Sequence, residues 1–132
     1  MISSATSNKV AAVKTKHVLY VDDMRELREV ARLALTRVGH TVALAPDGSD
    51  AFELVKADPR AFNIVITDHH MATMNGLELV IKLREIQFAG MIAVVSSELN
   101  SDTEVEYRKL GIDSILYKPV AISDLRALVL AS

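Results

Sequence analysis

Four short, unbroken apolar runs recur along the chain, and each stops on a polar or charged residue. His17-Val18-Leu19-Tyr20-Val21 stops on Asp22-Asp23, and Phe62-Asn63-Ile64-Val65-Ile66-Thr67 stops on Asp68. Met91-Ile92-Ala93-Val94-Val95 stops on Ser96-Ser97, and Ser114-Ile115-Leu116-Tyr117 on Lys118-Pro119. Continuous apolar runs without alternation are what strands look like when both faces of their sheet are covered. A fifth run, Thr41-Val42-Ala43-Leu44, completes the set. The segments between the runs have a helical period. In the first of them Leu27, Val30, Ala31, Ala34, Leu35 and Val38 recur at steps of three and four, so one face is apolar. Gly39 and Gly111 read as helix stops, and Pro46-Asp47-Gly48, Asp58-Pro59 and Asn75-Gly76 punctuate the chain. Residues 102–110 read as a helix that is polar nearly all round.

Five strand–helix alternations with short connections predict an α/β fold with right-handed crossovers and helices on both faces of a parallel sheet. The expected architecture is a five-stranded (βα)5 flavodoxin-like three-layer sandwich. The first and third strands carry the acidic ends, which places the switch point between them and predicts strand order 2-1-3-4-5. Ligands of such sheets bind outside the carboxyl ends of the strands. Three carboxylates (Asp22, Asp23, Asp68), the Ser96 hydroxyl and the Lys118 ammonium should therefore converge on one cleft.

Carboxylates this close repel unless a cation neutralises them. Hard oxygen ligands call for Mg2+, and Mn2+ fits the same donors. A carboxylate can also act as a nucleophile and form an acyl phosphate. Phosphoryl transfer then needs charge neutralisation around the equatorial oxygens more than acid–base machinery. Mg2+ would hold one such oxygen, Lys118 a second, and Ser96 would donate a hydrogen bond to a third. Pro119 after Lys118 marks a turn, and a cis Lys118–Pro119 bond would aim the ammonium inward.

Composition narrows the classes. The chain has 132 residues, half of them hydrophobic, which suits one globular domain. A net charge of −2 argues against general nucleic-acid binding. With no cysteine, disulfides, zinc–thiolate sites and thiol chemistry are excluded, and a reducing, cytoplasmic setting is expected. No apolar stretch is long enough to span a bilayer. Residues 1–16 carry three Lys and no acid, show no sustained period, and are expected to be a flexible tail ahead of a domain over 17–132. His17 and His40 are expected at the surface or at strand ends. His69-His70 does not make a metal site, because adjacent side chains point apart and no other His has ligand spacing.

Four pieces, in order and at strand ends, resemble the CheY-like receiver domain of two-component response regulators over about residues 16–131. They are Val18-Leu19-Tyr20-Val21-Asp22-Asp23, Ile66-Thr67-Asp68-His69-His70-Met71-Ala72-Thr73-Met74-Asn75-Gly76, Val94-Val95-Ser96-Ser97 and Tyr117-Lys118-Pro119. The resemblance implies that Asp68 is phosphorylated by a sensor histidine kinase or a histidine phosphotransfer protein. It implies that Asp22, Asp23, Asp68 and the backbone carbonyl of His70 bind Mg2+. It makes Ser96 the switch hydroxyl beside Ser97, Lys118 the phosphate-contacting lysine and Ile115 the switch position. His70 and Glu98, two residues past Asp68 and Ser96, would border the phosphoryl group and modulate water entry. The expected output is a changed surface around the fourth helix, last strand and last helix, read by a downstream protein. A monomer or a phosphorylation-dependent dimer is expected, with no contact to nucleic acid or membrane. Either a stand-alone receiver or a receiver cut from a longer regulator or hybrid kinase fits.

Two positions depart from the family. Ala72 stands where proline is usual, which leaves a free backbone N–H in the loop. Ile115 stands where an aromatic residue is common. Tyr117 does not read as its substitute, and Tyr107 reads as a surface aromatic. These departures keep a degenerate receiver, acting as a phosphorylation-independent binding module, as the alternative. A metal-dependent aspartyl phosphatase is weaker, because such enzymes carry Asp-x-Asp where this chain has Asp68-His69-His70. A nucleotide-binding flavodoxin-like protein is weaker still, since no glycine-rich phosphate loop follows any strand.

Overall fold

The alternation of runs becomes β1 (His17–Val21), α1 (Arg25–Thr36), β2 (Thr41–Ala45), α2 (Gly48–Ala57), β3 (Ile64–Asp68), α3 (Gly76–Glu85), β4 (Met91–Ser96), α4 (Ser101–Lys109), β5 (Ser114–Tyr117) and α5 (Ile122–Leu130). This computed structural model describes residues 14–112 and 114–132. Residues 1–13 of the expected tail lie outside the described residues. Lys16, at the tail's end, is bound into the fold: its N–H donates to His40 Nδ1 at 3.0 Å and its carbonyl accepts from the Thr41 N–H at 3.0 Å. His40 is accordingly buried, at the strand end immediately before β2.

All strand pairs are parallel, in the order β2-β1-β3-β4-β5. Alternate residues of each strand serve opposite faces. Leu19, Val21, Val65 and Val94 pack with Leu79, Val80 and Leu83 of α3 and with Ala51 and Val55 of α2. Val18, Tyr20, Ile64, Ile66, Ala93 and Val95 pack with Ala31 and Leu35 of α1 and with Leu125, Leu128 and Val129 of α5. Both faces of the sheet are thus covered, which explains the unbroken apolar runs. The stripe that α1 buries is narrower than its apolar face. Val30 is 52% exposed, whereas Leu35 is 0% exposed, and Val38, expected on the same face, lies past the helix end. Among the described residues no helix is long and apolar enough to cross a membrane.

Three of the helices, α2, α3 and α4, begin on short polar side chains. Asp47 accepts from the Asp50 N–H at 2.8 Å, and Asn100 from the Thr103 N–H at 2.8 Å. Asn75 and Glu78 form a reciprocal capping box at the start of α3. Each cap satisfies an N–H that the helix itself leaves open, and so fixes where the preceding loop must end.

Candidate functional site

β1 and β3 are neighbours, so the residues at their carboxyl ends are neighbours too. Carboxylate oxygens of Asp22, Asp23 and Asp68 lie within 4.8 Å of one another. Asp22 and Asp68 are buried, at 1% and 6% exposure, while Asp23 faces solvent. Each buried acid has a separate partner for each oxygen. Asp22 Oδ1 accepts from the Met24 N–H at 2.9 Å, and Asp68 Oδ1 accepts from the His69 N–H at 2.8 Å. The other oxygens share one ammonium: Lys118 Nζ is 2.9 Å from Asp22 Oδ2 and 3.3 Å from Asp68 Oδ2.

Asp22 and Asp23 do not simply cap the first helix. The N-cap of α1 is Met24, whose own side chain accepts no capping hydrogen bond. Lys118 is placed by its backbone, whose N–H donates to the Ser96 carbonyl at 2.8 Å, and the following Lys118–Pro119 bond is cis. Arg28 Nη1 donates to the Asp22 carbonyl at 2.8 Å, which ties the loop to α1.

The electrostatics follow from this packing. Burial pushes the Asp68 carboxyl above its usual range and the nearby Asp22 charge adds to that, while Lys118 and the His69 N–H pull it back. Burial works against the Lys118 ammonium, but its hydrogen bonds and charge pairing with Asp22 and Asp68 outweigh that, and its pKa lies above the ordinary value. Among the described residues the cluster offers three carboxylates and one partly buried counter-charge, Lys118. Such an all-oxygen, carboxylate-rich donor set fits a hard divalent cation.

The remaining sequence-derived positions divide in two. Ser96 is fully buried, and its hydroxyl donates to the Glu98 carbonyl at 3.0 Å. Ser97 and Glu98 are exposed. His70 and Glu98 do meet, but through the backbone: His70 Nε2 donates to the Glu98 carbonyl in a long contact of 3.4 Å. Both residues line a cavity of about 280 Å³ with His69, Leu99, Asn100 and Thr103. Ile115 is partly buried and packs against the core on the α3–α4 side of the sheet.

Two tyrosines differ from expectation. Tyr107 is not a surface aromatic; it is 0% exposed, and its hydroxyl shares a hydrogen bond of 2.6 Å with His69 Nδ1. The polar pattern of α4 concealed it, because one buried side chain in a nine-residue helix leaves no periodic signal. Tyr117 lies two residues from Ile115 and so shares its face of β5, which removes the facing argument against it. It is 46% exposed and donates to Glu104 Oε2 at 2.9 Å.

Comparison with known proteins agrees with this geometry. The family model of the response regulator receiver domain matches residues 18–130. The sensor histidine kinase AruS of Pseudomonas aeruginosa is 32% identical over 127 residues, which cover 93% of this chain but only 12% of the kinase. A chemotaxis protein CheY homolog of Campylobacter jejuni is 35% identical over 105 residues, 77% of this chain and 80% of that protein. The crystal structure of a response regulator receiver protein from Pseudomonas putida superposes with a TM-score of 0.83 at 30% identity, covering 90% of this chain and 98% of that one. With its sheet order, its acidic cluster and these matches, the chain belongs to the CheY-like receiver domains of two-component response regulators.

Proposed function

We propose that residues 17–132 form a phosphorylation-gated receiver in which Asp68 accepts a phosphoryl group from a sensor histidine kinase or a histidine phosphotransfer protein. One observation carries this reading: Asp68 lies buried beside two further carboxylates, with Lys118 bridging it to Asp22. Receiver domains are signalling modules rather than enzymes in the usual sense, and this one would act on itself. A carboxylate oxygen of Asp68 attacks the phosphorus of a phosphohistidine. The new P–O bond forms as the P–N bond breaks, and the bonding pair leaves with the donor's imidazole. Asp22, Asp23, Asp68 and the backbone carbonyl of His70 would hold Mg2+, or Mn2+, which supplies charge neutralisation at the phosphoryl oxygens.

The chain's own residues do the rest. Lys118 gives up its 3.3 Å contact with Asp68 for a phosphoryl oxygen while keeping Asp22. The Ser96 hydroxyl turns from the Glu98 carbonyl toward another such oxygen. That leaves the carbonyl, in the loop leading into α4, with only its long His70 contact, so the α4–β5–α5 face changes and a partner protein reads it. Ser97 lines the approach, Ile115 repacks behind Ser96, and His70 with Glu98 governs water entry. An unchanged autodephosphorylation rate in His70→Ala would remove that last role. The setting is cytoplasmic, and the state is a monomer or a phosphorylation-dependent dimer.

A second reading, a phosphorylation-independent binding module, is favoured by the aliphatic Ile115 at the switch position. An aspartyl phosphatase lacks its second acid, since His70 stands there. Intact-mass spectrometry with acetyl phosphate and Mg2+ separates these readings. We expect one phosphoryl adduct on the wild type, lost in Asp68→Asn and with EDTA. No adduct, together with no Mg2+ binding, would transfer the case to the binding module.

A further inference from the structure

His69 follows the phosphoacceptor directly, and it is held from several directions at once. Its N–H donates to Asp68 Oδ1 at 2.8 Å. Its carbonyl accepts from the Gly76 N–H at 2.9 Å, at the start of α3. Its Nδ1 lies 2.6 Å from the Tyr107 hydroxyl, with the two rings edge to face at 5.6 Å between centroids. Tyr107 is fully buried, and it is the buried residue of α4. The contact is tight on its other side too: a Cβ at Gly76 would sit 2.7 Å from the Tyr107 hydroxyl.

We infer that Tyr107 is a positioning residue for Asp68, acting through His69, and that the same contact couples α4 to the phosphorylation state. This rests on Asp68 being the phosphoacceptor. The path is short and continuous: Asp68 Oδ1, His69 N–H, His69 ring, Tyr107 hydroxyl, α4. A hydrogen bond to a carboxylate is charge-assisted, and one to an acyl phosphate carbonyl is not. Phosphorylation therefore weakens the hold of Asp68 on the His69 N–H. The His69 ring stays tethered to Tyr107, so a change in the loop is passed to the helix. This route is separate from the one through Ser96 and Glu98, which reaches α4 from its N-terminal side. Coupling is reciprocal, so a partner that fixes α4 also fixes His69 and tunes how readily Asp68 reacts.

The test uses Tyr107→Phe, which keeps the ring and removes the hydroxyl. His69→Phe approaches the same bond from its less buried end and serves if Tyr107→Phe does not fold. Beryllofluoride with Mg2+ is the phosphoryl probe, read by backbone amide NMR, and acetyl phosphate gives the rate. In the wild type, amides of residues 101–109 should shift on beryllofluoride addition. In either variant those shifts should shrink while shifts at Ser96 and Lys118 persist. The acetyl phosphate rate should fall about fivefold, the scale of one hydrogen bond. The double variant should be no slower than the slower single one, because both remove one interaction. An α4 response equal to wild type in the folded variants overturns the inference, whatever the rate does. A wild type without any beryllofluoride-dependent shift at Asp22 or Asp68 overturns the phosphoacceptor reading instead, and this inference falls with it.

Discussion

α1 and α4 both follow strand ends that carry the site, yet they are held in opposite ways. α1 follows Asp22-Asp23 and buries Ala31, Ala34 and Leu35 against the sheet. Arg126 Nε of α5 donates to the Ala34 carbonyl at 2.9 Å and clamps it further. α4 follows Ser96 and buries Tyr107 alone, with Asp102 and Glu104 in its first turn and Arg108 and Lys109 in its last. Apolar burial resists displacement over a whole face, whereas a single anchor resists it at one point. α1 is thus a fixed wall for the acidic pair. α4 is a helix whose position a few hydrogen bonds decide, and one of those bonds leads to the residue beside Asp68.

The comparison breaks most visibly at Leu35. Leu35→Ala should cost about 2–5 kcal/mol in urea unfolding, as cavities in packed cores do. A cost under about 1 kcal/mol would mean that α1 is no better anchored than α4. Next comes Asp68, whose pKa burial and Asp22 raise in the folded state. The folded protein then binds that proton more tightly than the unfolded chain, so stability falls as pH rises from the ordinary value of 3.8 through the raised one. In buffer free of divalent metal, Asp68→Asn should have a higher urea midpoint than wild type at about pH 7. The gap should narrow as pH is lowered through that window, and a lower midpoint for the variant at neutral pH would contradict the sign. Asn100→Ala removes the cap of α4 and should cost about 1 kcal/mol. Hydrogen exchange should then accelerate at residues 101–104 ahead of α1. Smallest is Tyr117→Phe, which loses an exposed hydrogen bond to Glu104 and should change stability by less than about 0.5 kcal/mol.

What the sequence conveyed and what it hid have separate physical causes. The sheet was legible because each strand is an apolar run that stops at the edge of the core, and the stop is the site. Asp22, Asp68, Ser96 and Lys118 could be placed together by counting runs, since neighbouring parallel strands end on the same side. Val30 lies on the apolar face of α1 in the sequence but remains half-exposed, because a helix on a sheet buries a narrower stripe than its pattern offers, and Val38 lies past the end of the helix. Tyr107 was invisible for the converse reason: its helix is polar around it. The partner of Ser96 was also beyond reach, because a hydroxyl's acceptor depends on where the next loop folds back. His70 and Glu98 meet through the Glu98 carbonyl rather than its carboxylate, a contact that also depends on how the loop folds back.

Gly76 carries a lesson for anyone who scans this chain by mutation. It carries no side chain to do chemistry, yet a methyl group there would press on the Asp68 carbonyl, the Tyr107 hydroxyl and His69 Cα together. Saturation mutagenesis would score it as intolerant alongside the acidic cluster, and an activity map alone would enrol it among the chemical residues. Its silence is steric. A position can be indispensable to signalling because it must contain nothing, and in a library such a vacancy looks the same as a nucleophile until stability and turnover are measured separately.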